Sequence, residues 1–180
     1  MSMPRPPQPA KLVVGLLLKD KTLLAVLVDE LEDRFGPVTL ASPWMPFGYT
    51  AYYETEMGAP LFRRALAFRD LMAQEGLARI KRATNAIEQT HLVDNRRCVN
   101  IDPGYLLLAR FVLATGKNYS HRIYIGEGIY AELTLVFERG AFRPLPWTYP
   151  DYADRPLRDF LQRVRGQYAG DLNRVLKNSA

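Results

Sequence analysis

Apolar positions along the chain change period several times, and each change marks an element. Residues 12–18 read LVVGLLL, almost wholly apolar. That pattern predicts a strand buried on both faces, and so one central in its sheet. Leu23, Leu27, Leu31 and Phe35 then recur at helical spacing. The helix runs over about residues 22–35, with Asp20 placed to cap it and Gly36-Pro37 to stop it. Residues 38–42 suit a second strand. Residues 61–71 fit strand better than helix, since they open after Pro60 and a clearer helix follows. That helix spans 74–90, with Leu77, Ile80, Lys81, Thr84, Ile87 and Glu88 defining its stripes. Asp94-Asn95 is turn chemistry, and residues 97–101 form a short strand. Leu157, Phe160, Leu161, Val164, Tyr168, Leu172, Val175 and Leu176 make the apolar stripe of a last amphipathic helix, residues 157–177.

The middle of the chain, residues 100–137, carries three strand-like runs, 106–115, 119–125 and 129–137. Asp102-Pro103-Gly104 is expected to turn into them, and the GKN and GEG triplets join them as hairpins. With three-residue loops, Thr115 pairs with Tyr119 and Ile125 with Ile129. Period-2 geometry then sets the faces. Phe111, Leu113, Ile123, Ile125, Ile129, Ala131, Leu133, Leu135 and Phe137 form a core face, with His121 among them. Arg110, Val112, Arg122, Tyr124, Tyr130, Glu132 and Thr134 form the other, Arg122 lying across from Glu132 and Tyr124 across from Tyr130. This second face reads in two ways. It is a solvated surface with one cross-strand ion pair, or a ligand-binding face whose Arg110, Lys117, Arg122, Tyr124, Tyr130 and Glu132 hold an anionic, partly aromatic molecule.

The element order is strand, helix, two or three strands, helix, a run of four strands, and a terminal helix. It predicts an α+β fold: one domain with a mainly antiparallel sheet and helices packed on one face. The first half matches a ferredoxin-like split βαβ order. The domain is expected over residues 11–154. Residues 1–10, with four prolines, form an extended arm, and residues 155–180 an amphipathic helix docked on the domain. Two segments rich in proline and aromatics, 43–57 and 138–156, are expected as ordered loops, with residues 50–57 strand-like. In that strand Tyr52, Glu54 and Glu56 face one way, and Ala51, Tyr53 and Met57 the other.

The net charge of +5 weakly favours anionic partners. No apolar run is long enough to span a bilayer. Residues 1–11 lack the apolar core of a signal peptide, so a cytoplasmic location is expected. Cys98 is the only cysteine, which excludes an internal disulfide and a cysteine zinc site; a buried strand thiol is expected. No P-loop signature or dinucleotide fingerprint is present. A Ser-His-Asp triad would draw on Ser42, Ser120 or Ser179 with His91 or His121, and none of these serines sits in G-x-S-x-G.

Two constellations remain. Glu54-x-Glu56 on a strand places two carboxylates on one face, about 7 Å apart. With Glu132 and Asp102 brought near them, they suit a hard cation such as Mg²⁺. Thr115-Gly116-Lys117-Asn118 with His121 and Arg122 combines a glycine turn with the two cations Lys117 and Arg122, which suits an anion. The patch formed by Thr84, Asn85 and Glu88 reads as the wet face of a helix. Three functions follow. The first is binding of a phosphate-containing ligand, a nucleotide or RNA fragment, by a protein or enzyme. The second is a non-catalytic protein-interaction module using the loops at residues 43–53 and 146–152. The third is nucleic-acid binding through the basic terminal helix.

The stretches PWMPFGYTAYYETEMG, IKRATNAIE, VNIDPGYLLLARFVLATGKNYSHRIYIGEGIYAELTL and PWTYPDY together resemble the bacterial family termed domain of unknown function 4416. The resemblance covers about residues 11–152 and leaves out the terminal helix. It implies a single-domain cytoplasmic protein, and it brings no catalytic residues that transfer to this chain.

Overall fold

The structure, a computed structural model, describes residues 1, 3–50 and 52–178. Ala51, Ser179 and the side chain of Leu176 lie outside the described residues. The strands are β1 (Ala10–Leu18), β2 (Val38–Ala41), β3 (Met45–Phe47), β4 (Leu61–Met72), β5 (Leu92–Val93), β6 (Arg96–Arg97), β7 (Val99–Leu107), β8 (Arg110–Thr115), β9 (Arg122–Gly126), β10 (Ile129–Glu138) and β11 (Ala141–Pro144). The helices are α1 (Leu24–Phe35), α2 (Glu54–Met57), α3 (Leu77–Thr90), α4 (Pro150–Ala153) and α5 (Arg155–Asn178).

The fold is α+β, built on one antiparallel sheet in the order β11-β10-β8-β7-β1-β4-β2. Its β7-β1-β4-β2 half, with α1 and α3 as crossovers, has the ferredoxin-like order that the element sequence predicts. β1 is central and buried at every position, as a run without polar alternation requires. Alternate residues of β1 serve two cores. Leu12, Val14, Leu16 and Leu18 meet Leu27 and Leu31 of α1 and Ile87 of α3. Val13 faces the other way, into a cluster with Phe160, Leu161, Val164 and Tyr168 of α5. The crossover helices thus cover one face, and the terminal helix covers the second. Lys11, fully buried, fixes α5 to β1 through Asp171 at 2.5 Å.

Several expectations are corrected. Asp102-Pro103-Gly104 is no turn but the middle of β7. The turn lies at Leu108-Ala109, inside what reads as a single apolar run. Gly104 serves close approach, since a Cβ there would come within 2.5 Å of the Val112 carbonyl oxygen. β8 and β9 are not a hairpin, and Thr115 does not pair with Tyr119. Both strands pair with β10, on opposite edges, so residues 116–121 cross over it. β10 also shifts register between Leu133 and Leu135. Leu133 therefore packs beside α3 residues and Leu135 beside α5 residues, and the single core face expected for β10 becomes two. Residues 50 and 52–57 are not a strand; residues 54–57 form the short helix α2. The two proline-aromatic segments are partly regular. Met45–Phe47 pairs with β4, and the turn at Arg139-Gly140, both at positive φ, makes the β10–β11 hairpin. Cys98 is only half buried, just before β7. No helix among the described residues is long and apolar enough to cross a membrane.

Candidate functional site

The sheet splits between β7 and β8. Their ladder holds from Leu107/Arg110 to Gly104/Leu113 and then stops. Pro103 comes next, with no N–H to contribute. β7 continues on β1 as far as Val99, and β8 continues on β10 as far as Thr115. Had the ladder run on, Asp102 would face Thr115 and Asn100 would face Lys117. The strands part instead, and a cavity of about 790 Å³ opens between them.

One wall comes from α3 and the β5–β6 hairpin. The Lys81 ammonium donates to the Ile101 carbonyl at 2.7 Å and lies 3.9 Å from both Glu88 and Asp102. Glu88 accepts the Ile101 N–H at 2.6 Å. Burial pushes the Glu88 carboxyl above the usual range, against the pull of Lys81. Asp94 and Asn95, both at positive φ, close the hairpin. It delivers Arg97 as a two-pronged donor to Glu56 at 2.8 and 2.6 Å, and this hydrogen bonding holds Glu56 below the usual range.

The opposite wall is built from β4 and α4. Arg63 is buried beside Gly15, where a Cβ would come within 2.6 Å of the Tyr152 hydroxyl and 2.8 Å of the guanidinium. Its Nε lies 2.6 Å from Asp151 and its Nη1 3.5 Å from Asp102. Burial pushes the Asp151 carboxyl upward, and Arg63 opposes the shift. Tyr53 is also pushed upward, by burial and by the Asp102 charge.

At the β8 lip, Arg122 donates to Glu132 at 2.8 Å, to the Lys117 carbonyl at 3.0 Å and to the Tyr149 hydroxyl at 3.1 Å. Lys117 lies 4.2 Å from the ring centre of Tyr52, which together with Tyr53, Tyr119 and Tyr149 lines the mouth.

Of the residues expected to bind a ligand, Lys117, Arg122 and Glu132 line this cavity. Arg122 faces Glu132, and Tyr124 faces Tyr130, as expected, but Ile129 pairs with Gly126 and not with Ile125, and the register shifts between Ile129 and Tyr130. Both Arg122 and Glu132 are buried, so the face is not simply a solvated ion pair. Arg110 sits at the other end of β8, exposed. Tyr124 and Tyr130 pack on each other at 5.4 Å, outside the cavity lining. His121 does not point into a core on the opposite face. It precedes β9, where strand alternation does not hold, and its Nε2 lies 3.1 Å from the same Glu132, with its ring stacked on Trp147. The helical turn of α2 separates the expected acidic pair: Glu54 is exposed, while Glu56 is held by Arg97. Among the described residues, no group of three His, Cys, Asp or Glu side chains is placed to hold a metal.

Sequence reasoning missed Arg63 and Lys81, gave Asp102 a turn role and a place among the metal carboxylates, and gave Glu88 a wet-surface role. Lys81, Thr84 and Glu88 did leave a signal. They share the apolar stripe of α3 with Leu77 and Ile87, and charge on a buried stripe demands partners. Arg63 left none, because nothing within β4 itself distinguishes it.

No curated protein and no solved structure matches the chain. A match to a family model covers residues 8–168, which extends the resemblance into α5. On that match, the chain belongs to the family described as Domain of unknown function (DUF4416).

Proposed function

We propose that the cleft between β7 and β8 binds a phosphate-containing small molecule, of the size and shape of a nucleoside monophosphate. The observation that carries this reading is Lys117. The cavity is lined by the cations Arg63, Lys81, Arg97, Lys117 and Arg122. Four of them lie within ion-pair reach of a lining carboxylate: Arg63 of Asp151, Lys81 of Glu88, Arg97 of Glu56 and Arg122 of Glu132. Among the described residues Lys117 has no carboxylate partner. Its ammonium rests on the Tyr52 ring instead, on a turn next to Gly116. One uncommitted cation suits one phosphate better than three. The volume is within the usual range of small-molecule sites, and the tyrosines at the mouth offer faces on which a base can stack.

The other two functions have less support. The loops at residues 43–53 and 146–152 are already used to wall the cavity. On α5, Arg158 and Arg165 are spent on the carbonyls of Phe142 and Leu108, and Arg155 and Arg174 pair with Asp159 and Asp171.

The test is thermal denaturation with nucleoside monophosphates, nucleosides and inorganic phosphate. Ligand at about 100 times Kd stabilises by roughly 2.7 kcal/mol, a shift on the order of 5–10 °C for a domain of this size. Monophosphates should shift the midpoint more than either part alone, and Lys117→Ala should reduce the gain to that of the nucleoside. A flat response to all monophosphates overturns the reading.

A further inference from the structure

We infer that Asp102 is the specificity-determining residue of this cleft, and that it selects ligands with a ribose diol over their 2′-deoxy counterparts; the inference rests on the nucleotide reading above. Asp102 is the surplus carboxylate of the site. Glu56, Glu88, Glu132 and Asp151 each have their own lining cation, whereas Asp102 only shares Arg63 and Lys81 with Asp151 and Glu88.

Its two oxygens differ. Oδ2 accepts from the Asn100 side-chain amide at 2.8 Å and lies 3.5 Å from Arg63. Oδ1 has Lys81 at 3.9 Å, beyond hydrogen-bond length, and that ammonium already donates to the Ile101 carbonyl at 2.7 Å. Among the described residues Oδ1 therefore has no hydrogen-bond partner. The side chain is 23% exposed, and it lines the cavity.

A carboxylate accepts and does not donate, so a ligand that displaces solvent from Oδ1 must bring an N–H or O–H group to it. It also repels phosphate. The two lips thus impose an orientation, with the anion at Lys117 on the β8 side and donors at Asp102 on the β7 side. The lips are farther apart than the roughly 5 Å of paired strands. A sugar phosphate spans such a gap, with its phosphate at one end and its hydroxyls at the other. A carboxylate aimed at a vicinal diol is an established way of reading ribose. Lys81 and Arg63 hold Asp102 in place from opposite sides of the sheet, leaving Oδ1 as the reader.

The test is calorimetric titration of the full chain with ribonucleoside 5′-monophosphates, their 2′-deoxy counterparts and ribose 5-phosphate. The ribo forms should bind roughly 10- to 100-fold more tightly than the deoxy forms, as loss of a hydrogen bond to a charged group predicts. Asp102→Asn should erase the preference, bringing the ratio of ribo to deoxy affinity close to one whatever the common change from losing a charge that repels phosphate, with a melting curve checking that the variant folds. Equal affinity of the unmodified protein for ribo and deoxy forms overturns the role of Asp102 and leaves the phosphate reading standing. Absence of binding by every monophosphate overturns both. The first comparison needs no variant, so it decides the matter even if Asp102→Asn fails to fold.

Discussion

Replacing Arg63 with methionine removes a buried charge while keeping a long apolar stem. The Arg63 side chain is 5% exposed, and its principal partner Asp151 is 7% exposed. The guanidinium also lies over the rings of Phe47 and Tyr152, contacts that a methionine retains in part. What the variant loses is the cation 2.6 Å from Asp151. Removing one partner of a buried pair costs about 3–5 kcal/mol, because the other charge stays desolvated. At about 2–4 °C per kcal/mol for a domain of this size, Tm should fall by roughly 6–20 °C. Burial already pushes the Asp151 carboxyl upward, and Arg63 restrains it. Without Arg63 the shift grows. A raised carboxyl contributes stability that is present at low pH and lost as pH rises through its folded-state value. The deficit of Arg63→Met should therefore be largest near neutral pH and shrink in acid. Adding Asp151→Leu should recover most of it, since neither charge is then stranded. Calorimetric melts of both single variants and the double variant across pH 4–8 measure these terms. An Arg63→Met midpoint within about 2 °C of the parent at neutral pH would refute the buried-pair argument. So would a double variant as unstable as the two single losses added together.

Deletion of residues 155–180 should abolish folding. Leu157, Phe160, Leu161, Val164, Tyr168 and Leu172 are all buried, and at about 1.5–3 kcal/mol each they exceed or match a typical total stability of about 5–15 kcal/mol; a cooperative melt near that of the full chain would show that α5 is dispensable. Glu88→Gln should change the pH profile. Burial raises the Glu88 carboxyl, so its contribution is complete below the ordinary glutamate range and is lost as pH rises through the raised value. The variant should accordingly gain on the parent in melts from pH 4 to pH 7, and a constant difference in Tm would contradict the shift.

Elements whose signal is local were legible in the chain alone. An unbroken apolar run made β1 central. Helical periodicity placed α1, α3 and α5, and Asp94-Asn95 marked a turn. The element order was enough for the ferredoxin-like half, because short connections leave few ways to arrange strand-helix-strand units. The facing of Arg122 and Glu132 was legible from strand alternation, although Gly126 and not Ile125 pairs with Ile129 and a register shift beside the turn restores the expected pairs. Tertiary structure decided what depends on distant neighbours. Nothing local says that β8 and β9 flank β10 instead of each other. Gly104 reads as a turn glycine until Val112 is placed against it. The cavity exists because the β7–β8 ladder stops before Pro103 while β1 and β10 keep hold of the two parted strands. Its charges, Arg63, Lys81, Asp102 and Asp151, come from four separate elements. Apart from Lys81, which sits on the buried stripe of α3, each is unremarkable in its own segment. They form a site only because burial removes the water that would otherwise satisfy them, so that each must find its partner across the fold.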